Sequence, residues 1–363
     1  MTVGAGSRGD LQIAGSSNPE YVNARVRARR AVLFDEEDYR TMLRMGPAAI
    51  ARFMEETEYE REIDRLGARF SGVDLIEFAL NQNMARHFDD LLRWAEGKLY
   101  AQLAAYLRKF DAWNVKTVIR GIYSGTDPES IETDLIPAGE FHERFRDRLL
   151  DAESIEEVIE LLESTIFGDA LAAAYDDFQR TDVLVPLENA IDRTFYEHLL
   201  DDFDVAHVER DSPVGLYVEF LQAEIDFQNV RNALRIAQSG ADIDPSAYFI
   251  EGGILFSDQE LARLVTNRED LVGRIADSRY GEQLEAALEE LEDATSLIQF
   301  EHAVETALLE YSDRLSHVYP TSVASVLSYI LAKERERKNI RAIARGRAVG
   351  MDEDEIEEEL LIL

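Results

Sequence analysis

Apolar residues recur at spacings of three and four along most of the chain. The clearest runs are residues 75–110, 153–166 and 281–311. This period places apolar side chains on one face of an α-helix, whereas a half-buried strand alternates at every second residue. Asp127-Pro128 and Asp244-Pro245 indicate two helix starts, because Asp caps a helix and Pro suits its first position. The pattern predicts an all-α fold.

Two segments bear on export and membrane insertion. Residues 1–18 lack the apolar core of a signal peptide, and their Gly and Ser content predicts a flexible tail. The longest stretch without Asp, Glu, Lys or Arg is residues 315–332, which contains Pro320 and four serines. A membrane-spanning helix needs about 20 predominantly apolar residues, so this stretch is too polar. It predicts a turn at Pro320 followed by a buried helix in a soluble protein.

One pattern occurs three times: FDAWNVKTVIRGIYSG (110–125), IDFQNVRNALRIAQSG (225–240) and RERKNIRAIARGRAVG (335–350). Each copy has an Asn with an acid three residues before it, an aliphatic residue after it, bases at plus two and plus six, and Gly at plus eleven. Looser matches lie upstream of each copy. This self-similarity predicts a tandem repeat, and its spacing divides the chain into a tail and three helical bundles: 1–18, 19–140, 141–253 and 254–363.

The acid and the Asn of each copy lie at the edge of the helix face that carries the aliphatic residues. A buried carboxylate must be hydrogen-bonded or paired with a charge. We therefore predict a structural network that ties each helix to its neighbours or to backbone groups. A repeated carboxylate–amide ligand site is the alternative. The six residues concerned are Asp111, Asn114, Asp226, Asn229, Glu336 and Asn339.

The two bases of each copy lie on the opposite side of the helix, one turn apart. Like charges four residues apart repel each other, so their recurrence in an acidic chain requires an explanation. Salt bridges to adjoining acidic helices are one explanation, and contact with a partner protein or a neighbouring repeat is the other. The residues are Lys116, Arg120, Arg231, Arg235, Arg341 and Arg345.

The composition is strongly acidic, with 73 Asp+Glu against 38 Lys+Arg and a net charge of −35. Such a surface repels the phosphate backbone of nucleic acids. Its self-repulsion is tolerable where salt screens it, because the Debye length shrinks from about 10 Å at 0.1 M to about 3 Å at 1 M. We infer a salt-adapted protein. The absence of Cys excludes disulfides, thiolate nucleophiles and zinc sites built on Cys.

Enzyme signatures are absent from the sequence. It contains no phosphate-binding loop, dinucleotide fingerprint, H-E-x-x-H motif or G-x-S-x-G elbow. A single cluster has the composition of a metal site: His198 and His207 flank Asp201, Asp202 and Asp204. An exposed acidic loop explains that cluster equally well. We therefore predict no catalytic residue, cofactor or metal.

Two blocks and the triple Asp/Glu-x-x-Asn pattern carry a family resemblance. The blocks are YVNARVRARRAVLF (21–34) and LRKFDAWNVKTVIRGIYSG (107–125). They are similar to the C subunit of the archaeal (A-type) ATP synthase, a relative of the d subunit of the vacuolar ATPase. The similarity covers about residues 19–363. Glu336 departs from the pattern, since the other two copies carry Asp at this position.

The resemblance implies three helical bundles arranged with pseudo-threefold symmetry as a funnel around a central cavity. It implies a monomer on the cytoplasmic face of the membrane, held there by the proteolipid ring and receiving the tip of the central shaft. The implied function is to transmit torque between ring and catalytic head during ATP synthesis or ion transport, without catalysis. The alternatives are a helical-repeat scaffold of another assembly and a metal-dependent hydrolase; no repeated His or Lys base supports the hydrolase.

Overall fold

The structure, a computed structural model, describes residues 16–361 except 202, 206, 210, 211, 240–247, 286, 287 and 289–296. The described residues form helices and connecting turns without β-strands, which confirms the all-α prediction for this part of the chain. In chain order the helices are α1 Pro19–Arg30, α2 Glu36–Leu43, α3 Pro47–Glu55, α4 Glu60–Leu66, α5 Gly72–Trp94, α6 Gly97–Leu107, α7 Lys109–Ser124, α8 Pro128–Asp134, α9 Glu143–Leu150, α10 Ile155–Leu162, α11 Gly168–Thr181, α12 Val185–Leu200, α13 Pro213–Ser239, α14 Asp258–Leu264, α15 Arg268–Ala276, α16 Leu297–Val318, α17 Val323–Val349 and α18 Glu353–Glu357.

One compact unit combines described residues from both ends of the chain, 16–151 and 315–361. Helix α17 packs on α1, α2, α3 and α5. Its first half is buried on nearly every side, which is typical of a central helix. The core around it includes side chains from both ends of the chain: Phe34, Met42, Ile50, Met54, Ile63, Ile76, Leu80, Ile340, Ile343 and Ile356.

A second compact unit spans residues 152–314. In it α11 packs on α12, and α13 packs on both α12 and α15. Its buried apolar residues come from several of these helices, among them Val158, Leu162, Leu171, Leu187, Ile191, Phe220, Val230, Leu271 and Ile275.

The start of α8 and the turn before α17 have the local structure predicted from the sequence. The side chain of Asp127 accepts a hydrogen bond from the backbone N–H of Ser130 at 2.9 Å, as expected of the cap of α8. Residues 319–322 form a turn, and α17 follows with its first residues buried, which confirms the prediction for residues 315–332. The predicted cap at Asp244-Pro245 and residues 1–15 of the predicted tail lie outside the described residues.

Among the described helices, none has the length and apolar character required to cross a membrane.

Candidate functional site

Each repeated Asn side chain pairs with both polar groups of a single backbone residue. The amide nitrogen donates to the carbonyl oxygen of that residue, and the amide oxygen accepts from its N–H. Asn114 makes this pair with Ile136 at 2.8 and 2.8 Å, Asn229 with Ile250 at 2.9 and 2.9 Å, and Asn339 with Leu361 at 3.1 and 2.9 Å. All three Asn residues are buried, so each pair satisfies four polar groups that water does not reach.

The Gly at plus eleven makes these pairs possible by ending the helix. Gly125 and Gly350 have φ of 68° and 80°, the left-handed region that favours Gly at a helix end. The chain reverses there and returns 22 residues after the Asn in both copies. Gly240, the Gly of the second copy, lies outside the described residues.

The acids of the first two copies accept hydrogen bonds from consecutive backbone amides. Asp111 accepts from the N–H groups of Glu140 and Phe141 at 2.7 and 3.0 Å. Asp226 accepts from those of Ile254 and Leu255, both at 2.9 Å. Both acids are almost completely buried. Each acid therefore fixes the start of the segment that leads into the next helix.

The third acid has the same kind of partner from a distant part of the sequence. Glu336 accepts from the backbone N–H of Phe34 at 2.7 Å, across 302 residues. It also accepts from the hydroxyl of Tyr59 at 2.5 Å and from the ammonium of Lys333 at 2.6 Å. This copy, the one that departs from the Asp of the pattern, is therefore the one whose acid binds a backbone amide from earlier in the chain.

Two glycines allow the backbone to approach the acids closely. A Cβ atom added to Gly139 would lie 2.1 Å from Oδ1 of Asp111, and one added to Gly253 would lie 2.2 Å from Oδ1 of Asp226. No side chain fits at such distances. The repeat pattern defined above does not include these glycines, although they stand at nearly the same distance after the Asn in the first two copies.

Burial controls the protonation of these acids. It raises the pKa of Asp111 to about 7, although the two backbone amides favour the charged form. Burial also raises the pKa of Asp226, against the hydrogen bonds from Leu255 and Ile254. Asp111 and Asp226 therefore each lie in a buried site that disfavours the charged form, and hydrogen bonds from backbone amides hold each acid in place.

The raised pKa of Asp111 predicts a stability change with pH. Between about pH 4 and pH 7 the folded state binds more protons at this residue than the unfolded state, so the free energy of unfolding falls as pH rises and then levels off. We expect the difference between wild type and Asp111→Asn to fall by about 1 to 4 kcal/mol over this range. Denaturant unfolding of both proteins at several pH values measures it.

The exposed Asp127 provides a control of opposite sign. Hydrogen bonds from Ser130 lower its pKa, so its contribution is present at neutral pH and is lost as the pH falls. A difference between wild type and Asp111→Asn that rises with pH, or does not change, would contradict the prediction for Asp111.

The bases of the third copy bind acidic side chains. Arg341 Nε lies 3.0 Å from Oε1 of Glu77, and Arg345 Nη2 lies 3.0 Å from Oδ1 of Asp134. Each Arg also pairs with the other acid. Glu77 and Asp134 fall within residues 19–140, the first predicted bundle, whereas both bases fall within the third.

The bases of the first and second copies lie on α7 and α13. Lys116 is partly buried and Arg120 is exposed, and both interact with other groups. Arg231 donates to the side chain of Gln228. Arg235 lies on α13, and its side chain is outside the described part of the structure.

The acidic segment around the end of α12 shows two local His–Asp contacts. His198 lies 3.6 Å from Asp201, and His207 lies 2.9 Å from Asp204. Asp202 lies outside the described residues. Across the described chain, no three His, Asp or Glu side chains come together in a way that could hold a metal ion.

The comparison with known sequences identifies the family. The ATP synthase (C/AC39) subunit family matches residues 22–359. The chain belongs to this family, as the sequence resemblance predicted. It is therefore a structural, non-catalytic subunit of a rotary ATP synthase.

Relatives named as C subunits of A-type ATP synthases match nearly the whole length of the chain. The chain is 63% identical over 353 residues to the A-type ATP synthase C subunit of Haloferax volcanii and 57% identical over 353 residues to that of Halobacterium salinarum, in each case covering 97% of this chain and 100% of the relative. It is 33% identical over 360 residues to that of Methanosarcina mazei, covering 98% and 96%. The two halophilic relatives agree with the salt adaptation inferred from the charge.

Proposed function

We propose that this subunit is the central-stalk element that couples the membrane proteolipid ring to the central shaft. In this role it turns as part of the rotor during ion-driven ATP synthesis or ATP-driven ion transport. It acts as a monomer in the complex, bound peripherally on the cytoplasmic face of the membrane through the ring. Three helical bundles surround a central cavity that receives the shaft.

The packing of α17 on the N-terminal helices supports this proposal most directly. In an open row of repeats each unit contacts only its neighbours, so the first and last units remain apart. In this chain the two ends share one core. That arrangement is what a closed set of repeats around an axis requires.

Torque transmission also needs stiffness, and the buried hydrogen bonds are suited to it. Each Asn–backbone pair fixes a returning segment against its helix, and each acid fixes the entry to another helix. Breaking such a bond leaves a buried polar group unsatisfied, which costs about 1–3 kcal/mol. A protein braced in this way resists twisting between its two partners.

Affinity purification tests the proposal. A tagged copy expressed in the native host is expected to bring down the ring and shaft subunits from solubilised membranes, as identified by mass spectrometry. An unrelated soluble protein of similar negative charge and the same tag controls for non-specific binding of basic proteins. Recovery of the subunit as a lone soluble pool, or with companions from another assembly, would contradict the proposal.

A further inference from the structure

Three segments of the chain share one structural plan. Each begins with Phe, continues through two helices and ends at an aromatic residue after a Thr or Ser. The backbone N–H of the final aromatic residue donates to the hydroxyl oxygen two residues before it, at 3.3, 3.2 and 3.1 Å. The segments are 34–59, 141–167 and 256–280, ending at Tyr59, Phe167 and Tyr280.

The position of these segments relative to the repeated acids differs along the chain. Segments 141–167 and 256–280 follow the helices that carry Asp111 and Asp226, whereas segment 34–59 precedes all three copies of the pattern. Segment 256–280 supplies Tyr280, whose hydroxyl donates to Asp226 at 3.0 Å. Segment 34–59 supplies Tyr59, which donates in the same way to Glu336.

From this correspondence we infer that segment 34–59 belongs to the third repeat, and that the repeats are cyclically permuted along the chain. The N-terminal segment completes the bundle that the C-terminal helix α17 begins. The sequence-based boundaries assign residues 34–59 to the first bundle instead. We call the contact between segment 34–59 and α17 the seam.

A buried lysine holds the seam together. The ammonium of Lys333 is fully buried and lies 2.6 Å from Glu336, 3.0 Å from the Tyr59 hydroxyl and 3.3 Å from Glu58. The first and second copies have Arg108 and Ala223 at this position of the repeat. The lysine is therefore a feature of the seam and not of the repeat in general.

The chemistry of this cluster suits a protein in concentrated salt. Exposed ion pairs are screened by salt, whereas buried pairs are screened much less. Burial and the neighbouring Glu336 raise the pKa of Tyr59, so its hydroxyl keeps its proton and donates. Within the proposed function, on which this step rests, the seam carries torque where the closed set of bundles has no covalent link.

Hydrogen exchange in the isolated full-length protein tests the seam. Lys333→Met leaves Glu336 buried without its cation, and we expect amide exchange to accelerate about tenfold or more in residues 34–59 and 350–361 together. Residues 125–141 should keep their protection. The matched variant Asn114→Asp should open residues 125–141 and leave residues 34–59 protected. If residues 34–59 and 125–141 open together in either variant, the assignment of segment 34–59 to the third repeat would be overturned.

A chemical cross-link provides the second measurement. Next to the seam, Arg40 of segment 34–59 lies 3.9 Å from Glu357 of α18, the helix that follows α17. Arg40 is exposed and Glu357 is half-buried. Because the chain contains no Cys, Arg40→Cys and Glu357→Cys create a unique pair for a short bismaleimide. Linking this pair should restore the protection of residues 34–59 in Lys333→Met. A pair that does not link in the otherwise wild-type chain, or a link without rescue, would overturn the seam. Neither result depends on whether the protein co-purifies with ring and shaft.

Discussion

Replacing Asn114 with Asp is expected to lower the free energy of unfolding by about 3 to 5 kcal/mol. The substitution hardly changes the shape of the side chain. It replaces the nitrogen that donates to the carbonyl oxygen of Ile136 with a second acceptor, and it places an unpaired charge in a buried site. Denaturant unfolding at neutral pH, in the salt that keeps the wild type folded, measures the loss.

The same substitution at Asn267 is a matched control. Asn267 is exposed and caps α15 through its side-chain oxygen. Asn and Asp are nearly equivalent as helix caps, and the only further loss is the exposed hydrogen bond from the Asn267 nitrogen to Asp270 at 2.9 Å. Asn267→Asp should therefore lower the free energy of unfolding by no more than about 1 kcal/mol. Equal effects at the two positions would show that burial of the Asn–backbone pair does not determine its contribution.

Adding one methyl group at Gly139 or Gly253 is expected to be at least as damaging. In each case the new Cβ atom would overlap an oxygen of the repeated acid, which is buried and held by hydrogen bonds from two backbone amides. We expect Gly139→Ala and Gly253→Ala each to lower the free energy of unfolding by about 3 kcal/mol or more. Thermal and denaturant unfolding of the two variants measure this loss.

Gly273 gives the control for the glycine variants. It lies in helix α15 with no neighbouring atom within 4 Å of an added Cβ. Gly273→Ala should stabilise the protein by up to about 1 kcal/mol, because Ala favours the helix and restricts the unfolded chain. Wild-type stability in Gly253→Ala would contradict the close approach of backbone and acid.

The sequence predicted the local features of the fold well. Helical period, the Asp127 cap and the turn at Pro320 depend on neighbouring residues, and all three are present in the structure. The repeat pattern also directed attention to buried acids and amides, because burial follows from the helix face on which a residue lies. The assignment of the acids and amides to a structural network stays a prediction. So does the assignment of the repeated bases to contacts with a partner protein or a neighbouring repeat.

The partners of the acids depend on long-range contacts that the pattern does not contain. The role of Gly139 depends on a backbone approach to Asp111, and that of Lys333 depends on Tyr59, which is 274 residues away in sequence. A signal was nevertheless present, since the loosely matched segments 53–66, 161–174 and 274–287 align Tyr59, Phe167 and Tyr280 in one column. What the sequence lacked was the order in which these segments combine with the acids.

The separation between Glu336 and Phe34 has a consequence for biosynthesis. Asp111 finds its amides 29 and 30 residues away, whereas Glu336 must close a loop of 302 residues. The longer loop costs about 2 kcal/mol more in chain entropy. The N-terminal part leaves the ribosome first. The apolar side chains of Phe34, Ile50 and Met54 therefore stay uncovered on the side that α17 later contacts until α17 has been synthesised. We expect docking of α17 to be the last step of folding, during which the nascent chain most needs protection from aggregation.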